Sequence, residues 1–499
     1  MKKIFFDSRT MDKKAREDFC LTEELMMENA AAALESAVLP HVFHQSGRYI
    51  DRPNVLVLCG SGNNGADGYA LARRLVCHEF SVTCCVVAEP KSDLCMLQKK
   101  RAQLSGVTFI DLYTLDDFIE RKSFDISVVV DCIYGAGFRL PLSYEAEAVL
   151  NSIGRVDCHR ISCDIPTGLD KFGNGAICFT ADETVTMGSL KFALFSDRAK
   201  DCAGRITVAN LGISKTNFEH ESKFSADAYL LEKSEMVLPW RKRQNVNKGT
   251  FGHVAIISGE KTGAAMIAGT SALNFGAGLV TLVGAKDCNS MSLMTSGKMP
   301  ENASSVSIGS GLGRENKNAL NYLDWLSENR EIPFVLDADI FYYKEIKNFL
   351  ENNCTDEKFS RCILTPHPKE FSVLLENCGL GNYTTAQIVE QRYELAEKFC
   401  KKYKGCILIL KGAVVTIAHW SQKEDRFCAY LNPHGTNALA KAGSGDVLSG
   451  LAAALLAQGY NSINAAITSS LAHSFASEKF DGSYSLTPEK LIEEIGALK

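Results

Sequence analysis

The chain has 499 residues, more than one hydrophobic core usually supports, and its 46% hydrophobic and 23% charged content is that of an ordinary folded protein of two or more domains. A formal net charge of −5 with no extended Lys/Arg run excludes a nucleic-acid footprint, and the cluster Arg241-Lys242-Arg243 is short enough to be a solvated turn. No run of ~18 apolar residues could cross a membrane, and the apolar start MKKIFF stops at Asp7, far short of a signal-peptide core. The 18 cysteines contain no C-x-x-C pair, so buried thiols in a reducing cytoplasm are expected rather than zinc or redox sites.

In chain order, an alanine-rich periodic segment at 25–38 predicts a helix. Strand-like runs follow at 55–59, 82–87, 126–130 and 160–163, with a helix over 67–77 between the first two. This alternation predicts βαβ units around a parallel sheet, in which ligands sit beyond the carboxyl ends of the strands. The first run empties into GSGNNGADG, where Gly60, Gly62 and Gly65 satisfy G-x-G-x-x-G and Glu89 stands where a dinucleotide fingerprint expects an acid. The residues between the glycines argue against a cofactor pyrophosphate, because Asn63, Asn64 and Asp67 crowd side-chain oxygens into the loop and an Asp would repel phosphate. Asp131 and Asp164 end the third and fourth runs. Asn64, Asp131 and the Thr167 hydroxyl are hard oxygen donors of low total charge, suited to a monovalent or weakly bound cation better than to zinc. Each Asp alone is equally explained as a turn or helix cap; three at equivalent strand ends are harder to explain that way.

A polar stretch at 214–235 suits a linker. A second α/β alternation then begins, with strands at 252–259, 279–284, 333–339, 362–370 and 406–415, a helix at 264–275, and a glycine-rich close at 437–459. Gly443-Ser444-Gly445-Asp446 before a small, apolar run is a glycine loop at a helix N-terminus, where backbone N–H groups and the helix dipole attract an anion. An Asp there makes sense as a base that deprotonates a hydroxyl while the N–H cluster holds the phosphoryl group it attacks. An N-capping Asp in an ordinary loop is the alternative.

At this point the motifs become specific. GSGNNGADG, DCIYGAG and CDIPTGL resemble the three signature loops of the NAD(P)H-hydrate epimerase (YjeF N-terminal) family over about residues 10–215. The resemblance implies hydrate-binding loops at Asn63, Asn64, Gly65, Ala66 and Asp67 and at Gly135, Ala136, Gly137, Phe138, Arg139, Leu140 and Pro141. It also implies potassium ligands at Asn64, Asp131 and Thr167, and a substrate-binding acid at Asp164, which we take as the catalytic proton shuttle. Lys191 stands where the family commonly has a lysine near the site; a solvated helix-start lysine is the other reading. Ala66 replaces the usual glycine of NNGGDG, which would strain the backbone if φ there were positive.

The GSGD loop is similar to the anion hole of ribokinase-like folds, and its surroundings resemble the NAD(P)H-hydrate dehydratase (YjeF C-terminal) family over about residues 224–498. This implies hydrate contacts at Ala264, Gly311, His367 and Asp446, nucleotide contacts at Lys411, Gly412, Ala413, Val414, Val415 and Gly445, and catalysis by Asp446. Asp337 and Asp339 in VLDADIF are expected to shape the site, and 432–443 departs from the usual wording. The two resemblances together imply an α/β protein with a Rossmann-like parallel-sheet epimerase domain at 1–215, a linker at 216–223 and a ribokinase-like dehydratase domain at 224–499. The implied function is repair of NADHX and NADPHX: epimerisation of the R and S hydrates, then dehydration of S with ADP, or alternatively ATP, and Mg2+. The implied setting is a cytoplasmic homo-oligomer. A ribokinase-like small-molecule kinase with a binding-only N-terminal module is the alternative.

Overall fold

The computed structural model describes residues 1–45, 48–50, 53–219, 225–285, 288–355 and 360–499. The chain divides into two compact units, Lys3–Asp227 and Ala228–Lys499 with Met1–Lys2.

The sheet of the first unit has the strand order Arg205–Ala209, Glu183–Met187, His159–Cys163, Ile126–Cys132, Asn54–Cys59, Ser81–Val86, Thr108–Asp111. Every neighbouring pair is parallel. The central strands Asn54–Cys59 and Ile126–Cys132 are buried along their whole length, as the apolar runs Val55–Cys59 and Val128–Val130 require when helices cover both faces. From Asn54–Cys59 the chain builds outward through Ser81–Val86 and Thr108–Asp111, then returns to the other side with Ile126–Cys132. The order therefore reverses between these two central strands, and the loops leaving their carboxyl ends flank a crevice. The helix expected from residue 67 begins earlier, spanning Asn63–Val76, so Asn63 and Asn64 form its first turn.

The second unit carries a sheet ordered Ala228–Leu230, Arg426–Asn432, Val415–Ser421, Cys406–Leu410, Cys362–Leu364, Phe334–Leu336, Ser305–Ile308, His253–Ile257, Leu279–Val283, Met294–Ser296. It is parallel from Cys406–Leu410 onward, with an antiparallel hairpin at Val415–Asn432. The helix Ser444–Ala457 is buried from Val447 onward, which the apolar and small residues beyond its first turn explain: it packs under the helices Thr262–Asn274 and Ser462–Ser477 against the sheet.

Of the linker expected over 216–223, residues 220–223 lie outside the described residues, and the preceding stretch is a helical turn, Lys215–Phe218, capped by Ser214 and anchored by buried Phe218. Most cysteines are buried and none is disulfide-bonded. Spacing along the chain gave no hint that Cys354, Cys362 and Cys406 meet, their sulfurs within 4.8 Å of one another. No described helix is long and apolar enough to cross a membrane.

Two candidate active sites

In the first unit a cavity of about 790 Å³ opens where the order of strands reverses. Asn63, Asn64 and Asp67 reach it from the first turns of Asn63–Val76, whose N-terminus carries no side-chain cap. Gly135, Ala136, Gly137, Phe138, Arg139 and Pro141 form one wall and Asp164 the floor. Three expected residues do not line it. A Cβ on Gly65 would lie 2.0 Å from the Gly60 carbonyl, so Gly65 serves helix–strand approach. Ala66 is wholly buried within the right-handed helix, so its methyl is unstrained, and Leu140 is exposed beside the cavity.

Asp164 is buried with φ 67, the left-handed region that a non-glycine residue occupies only when its surroundings enforce it. Its Oδ2 accepts from Ala136 N at 3.0 Å, and its Oδ1 from Met187 N and Thr186 Oγ1, both at 3.2 Å. Lys191 Nζ stands 3.1 Å from that Oδ1 and also donates to Ser189 O at 3.0 Å. Lys191 is fully buried, which removes the solvated reading. Burial pushes the Asp164 carboxyl upward, but the Lys191 ammonium and the Met187 and Ala136 N–H groups outweigh it and hold the acid below its ordinary range. Asp67 is the opposite case: burial, then the like charges of Asp164 and Asp12, push it well up.

Asn64 and Thr167 meet at the Tyr134 backbone, and Asp131 is bonded to Thr167. Asn64 Nδ2 donates to Tyr134 O at 2.9 Å, while Tyr134 N donates to Thr167 Oγ1 at 3.1 Å. Thr167 Oγ1 in turn donates to Asp131 Oδ1 at 2.7 Å, and Thr167 N to Oδ2 at 2.8 Å. Asp131 is fully buried, and among the described residues no cationic side chain ion-pairs it. A buried carboxylate beside neutral oxygens is a donor set that fits a hard monovalent cation.

In the second unit the expected residues form a chain of contacts. Gly311, with φ 63, abuts Ala264: a Cβ there would lie 2.9 Å from the alanine methyl and 2.5 Å from Lys261 O. Its neighbour Ser310 donates to the Asp446 carboxylate and contacts Ser449 Oγ at 3.2 Å, so the GSGLG and GSGD loops are bonded together. Gly445 and Asp446 lie in the first turn of Ser444–Ala457, again without a side-chain cap; Ser444 N donates to Lys441 O at 3.3 Å, and the Gly445 and Asp446 N–H groups follow it at the open end. Burial, reinforced by the like charge of Asp337, pushes Asp446 up to about 6.

Lys411 Nζ lies 3.0 Å from Asp337 Oδ1 and 3.7 Å from Glu370 Oε2, and a Cβ on Gly445 would be 3.3 Å from it. Burial works against its charge, but Asp337 and Glu370 overcome it, so a fixed cation faces the glycine loop. Gly412 and Ala413 are exposed, Val414 is buried, and Val415 opens the hairpin. His367 caps the helix Pro368–Asn377, its Nδ1 accepting from Lys369 N at 3.2 Å and Glu370 N at 3.3 Å; Nε2 stands 3.2 Å from Glu370 Oε1. Both ring nitrogens are engaged, so His367 offers a ligand its face. Asp337 belongs to the lysine network, whereas Asp339 accepts from Gly313 N at 3.0 Å and lines a separate cleft of about 450 Å³ with Glu260, Lys261 and Arg314. The unusual 432–443 segment is firmly held, with Asn432 Nδ2 donating to Ser470 and Ser474 and Lys441 Nζ to Tyr484 O.

Reading motifs missed residues that reach these sites from afar. Asp12 and Ser8 line the first cavity from the N-terminal helix, and Arg392 braces the Lys411–Val414 segment by donating to Val414 O and Lys411 O. His473, held neutral by burial with its pKa near 4, supports the GSGD loop, its Nε2 standing 2.9 Å from Ser444 O. None sits in a glycine-rich loop, so only the fold reveals them.

Comparison with known proteins gives two family matches. A model described as NAD(P)H-hydrate dehydratase matches residues 254–496, and one described as YjeF-related protein N-terminus matches 23–193. A bifunctional NAD(P)H-hydrate repair enzyme of Helicobacter pylori is 39% identical over 509 residues, covering 100% of both chains. One from Moorella thermoacetica is 28% identical over 515 residues, covering 94% of this chain and 90% of its own. Among solved structures, an ADP/ATP-dependent NAD(P)H-hydrate dehydratase from Bacillus subtilis co-crystallised with ATP/Mg2+ is 21% identical with a TM-score of 0.41, covering 52% of this chain and 92% of its own.

Proposed function

The chain belongs to the family of bifunctional NAD(P)H-hydrate repair enzymes, and from that premise we propose that its first unit interconverts the R and S hydrates and its second returns the S form to NAD(P)H. Hydroxide is a poor leaving group, so the second unit transfers the nucleotide's terminal phosphoryl to the hydrate hydroxyl. Asp446 takes the hydroxyl proton, and the open N–H groups of the GSGD turn, with Lys411, stabilise charge on the phosphoryl oxygens. The ring nitrogen's lone pair then expels phosphate to leave an N1=C6 iminium, and loss of the C5 proton to water restores the conjugated dihydronicotinamide ring. ADP is the co-substrate, giving AMP and phosphate, with ATP as the alternative; Mg2+ bound with the nucleotide would offset the charge of its phosphates.

In the first unit Asp164 is the group that shuttles the proton, and Lys191 keeps it ionised. Asn64, Asp131 and Thr167 would hold K+, whose charge there would offset the buried carboxylate. The many unpaired thiols suit a reducing cytoplasm. A homo-oligomer is expected, which sedimentation at several concentrations would test.

The observation that carries the reading is Asp446 in the uncapped first turn beside the Lys411 cation. Purified protein given mixed R and S hydrates with ADP or ATP should recover NADH absorbance completely and release one phosphate per NADH. Phosphorylated hydrate accumulating without phosphate release would favour a kinase instead.

A further inference from the structure

We propose that Asp12, a residue outside every motif of the chain, is a second catalytic group of the first unit: the proton donor that works opposite Asp164 in interconverting the hydrates. The inference rests on reading the first unit as the epimerase.

The chemistry requires two groups. If the ring opens, a base removes the proton of the C6 hydroxyl, the C6–N1 bond breaks, and its electron pair moves to N1, which must receive a proton. The resulting aldehyde rotates, N1 re-attacks the opposite face, and both protons return. If water leaves instead, an acid protonates the departing hydroxyl, and a base later takes a proton from the water that adds to the other face. Either route is balanced without oxidant or co-reactant. Either also needs one carboxyl ionised and one protonated in the same cavity.

Asp164 is fixed as the ionised member by Lys191 at 3.1 Å. Asp12 projects from the first turn of the helix Arg9–Phe19 into the same 790 Å³ cavity, where its Oδ2 accepts from Ser8 Oγ at 3.3 Å. Burial pushes Asp12 up to about 6, with the like charge of Asp164 adding to it against the opposing pull of Lys191. The charged groups facing it are Lys191, Asp164, Arg16 and Asp67, with Arg9 and Glu23 at the cavity rim. On the turn Lys215–Phe218, which packs against its helix, Lys215 is 3.7 Å from Glu219. Two carboxyls of one cavity are thus tuned in opposite directions, the arrangement that separates acid from base. Asp67, the third carboxyl, is also raised, by burial and then the like charges of Asp164 and Asp12, and the Asp67→Asn variant separates its part from that of Asp12.

The test measures R/S interconversion by chiral separation at pH 5 to 8 for wild type, Asp12→Asn, Asp12→Glu and Asp67→Asn. A circular-dichroism melt of each full-length variant, with the wild-type transitions retained, serves as the folding control. With Asp12 the acid, the wild-type rate falls as pH rises through about 6. Asp12→Asn should lower kcat by about 100-fold or more with KM within about threefold, and abolish that alkaline fall. Asp12→Glu should restore part of the rate and the fall with it. Retention of a third or more of the wild-type rate by Asp12→Asn would overturn the proposal. So would a rise in KM alone, or loss of the alkaline fall in Asp67→Asn rather than Asp12→Asn. A wild-type protein that interconverts no hydrate would instead refute the epimerase reading on which the proposal rests.

Discussion

Lys191 is the clearest case of a residue whose role depends on its burial. Replacing it with Met leaves the Asp164 carboxylate buried with only neutral donors, and breaking such a pair costs about 3–5 kcal/mol. A calorimetric melt should show a large drop in Tm at neutral pH. Asp164 titrates below its ordinary 3.8 in the fold, so the pair stabilises above about pH 4, and its contribution is lost as pH falls through the lowered value. The deficit of Lys191→Met should therefore shrink in strong acid; an equal deficit at every pH would show that the ion pair is not its source. Asp446 gives a prediction of the other sign. A base acts only when ionised, so with its carboxyl near 6 the dehydratase rate should climb with pH through about 6 and then level. Asp446→Asn should cut that rate about 10²–10⁴-fold and flatten the profile. Asp164 and Asp446 were legible in the sequence because glycines and strand ends mark them. Lys191 was placed near the site only by the family resemblance, with a solvated reading left open, and Asp12, Arg392 and His473 were not legible, because their partners are distant in sequence and ordinary in type.

At the level of elements, the alternation of runs was enough to foresee both parallel sheets, since buried strands advertise themselves as unbroken apolar stretches. Element ends were less legible. The helix Asn63–Val76 starts on asparagines, which by propensity belong to a loop, and only the docking of Gly65 on Gly60 shows why it begins there. Ala66 inside this helix is a favourable choice rather than a strained one. Ala66→Gly, which restores the family's usual residue, should lower stability by about 0.5–1 kcal/mol, a Tm decrease of a few degrees at most. An increase in Tm would mean that the methyl is strained after all. The stretch at 214–235 looked like a linker because its apolar contacts are few, yet Phe218 and the strand Ala228–Leu230 tie it into structure.

For the molecule as a whole, the two candidate sites lie in separate compact units, so each should be silenced without the other. Asp164→Asn with mixed hydrates and ADP should recover only the NADH equivalent to the S fraction present, leaving R unspent. Asp446→Asn should recover NADH at least about 100-fold more slowly yet still scramble either pure epimer, as chiral separation would show; complete recovery by Asp164→Asn would mean that the second unit accepts both. The cysteines have a consequence of a different kind. Cys20 and Cys77 stand in the open, while Cys59, Cys84 and Cys163 in one unit and Cys354, Cys362 and Cys406 in the other are shut inside. The chain thus carries its own clock for coming apart: under native conditions a maleimide reaches an inner sulfur only when its surroundings open. Mapping the labelled peptides over time would rank the two units by how often each lets go.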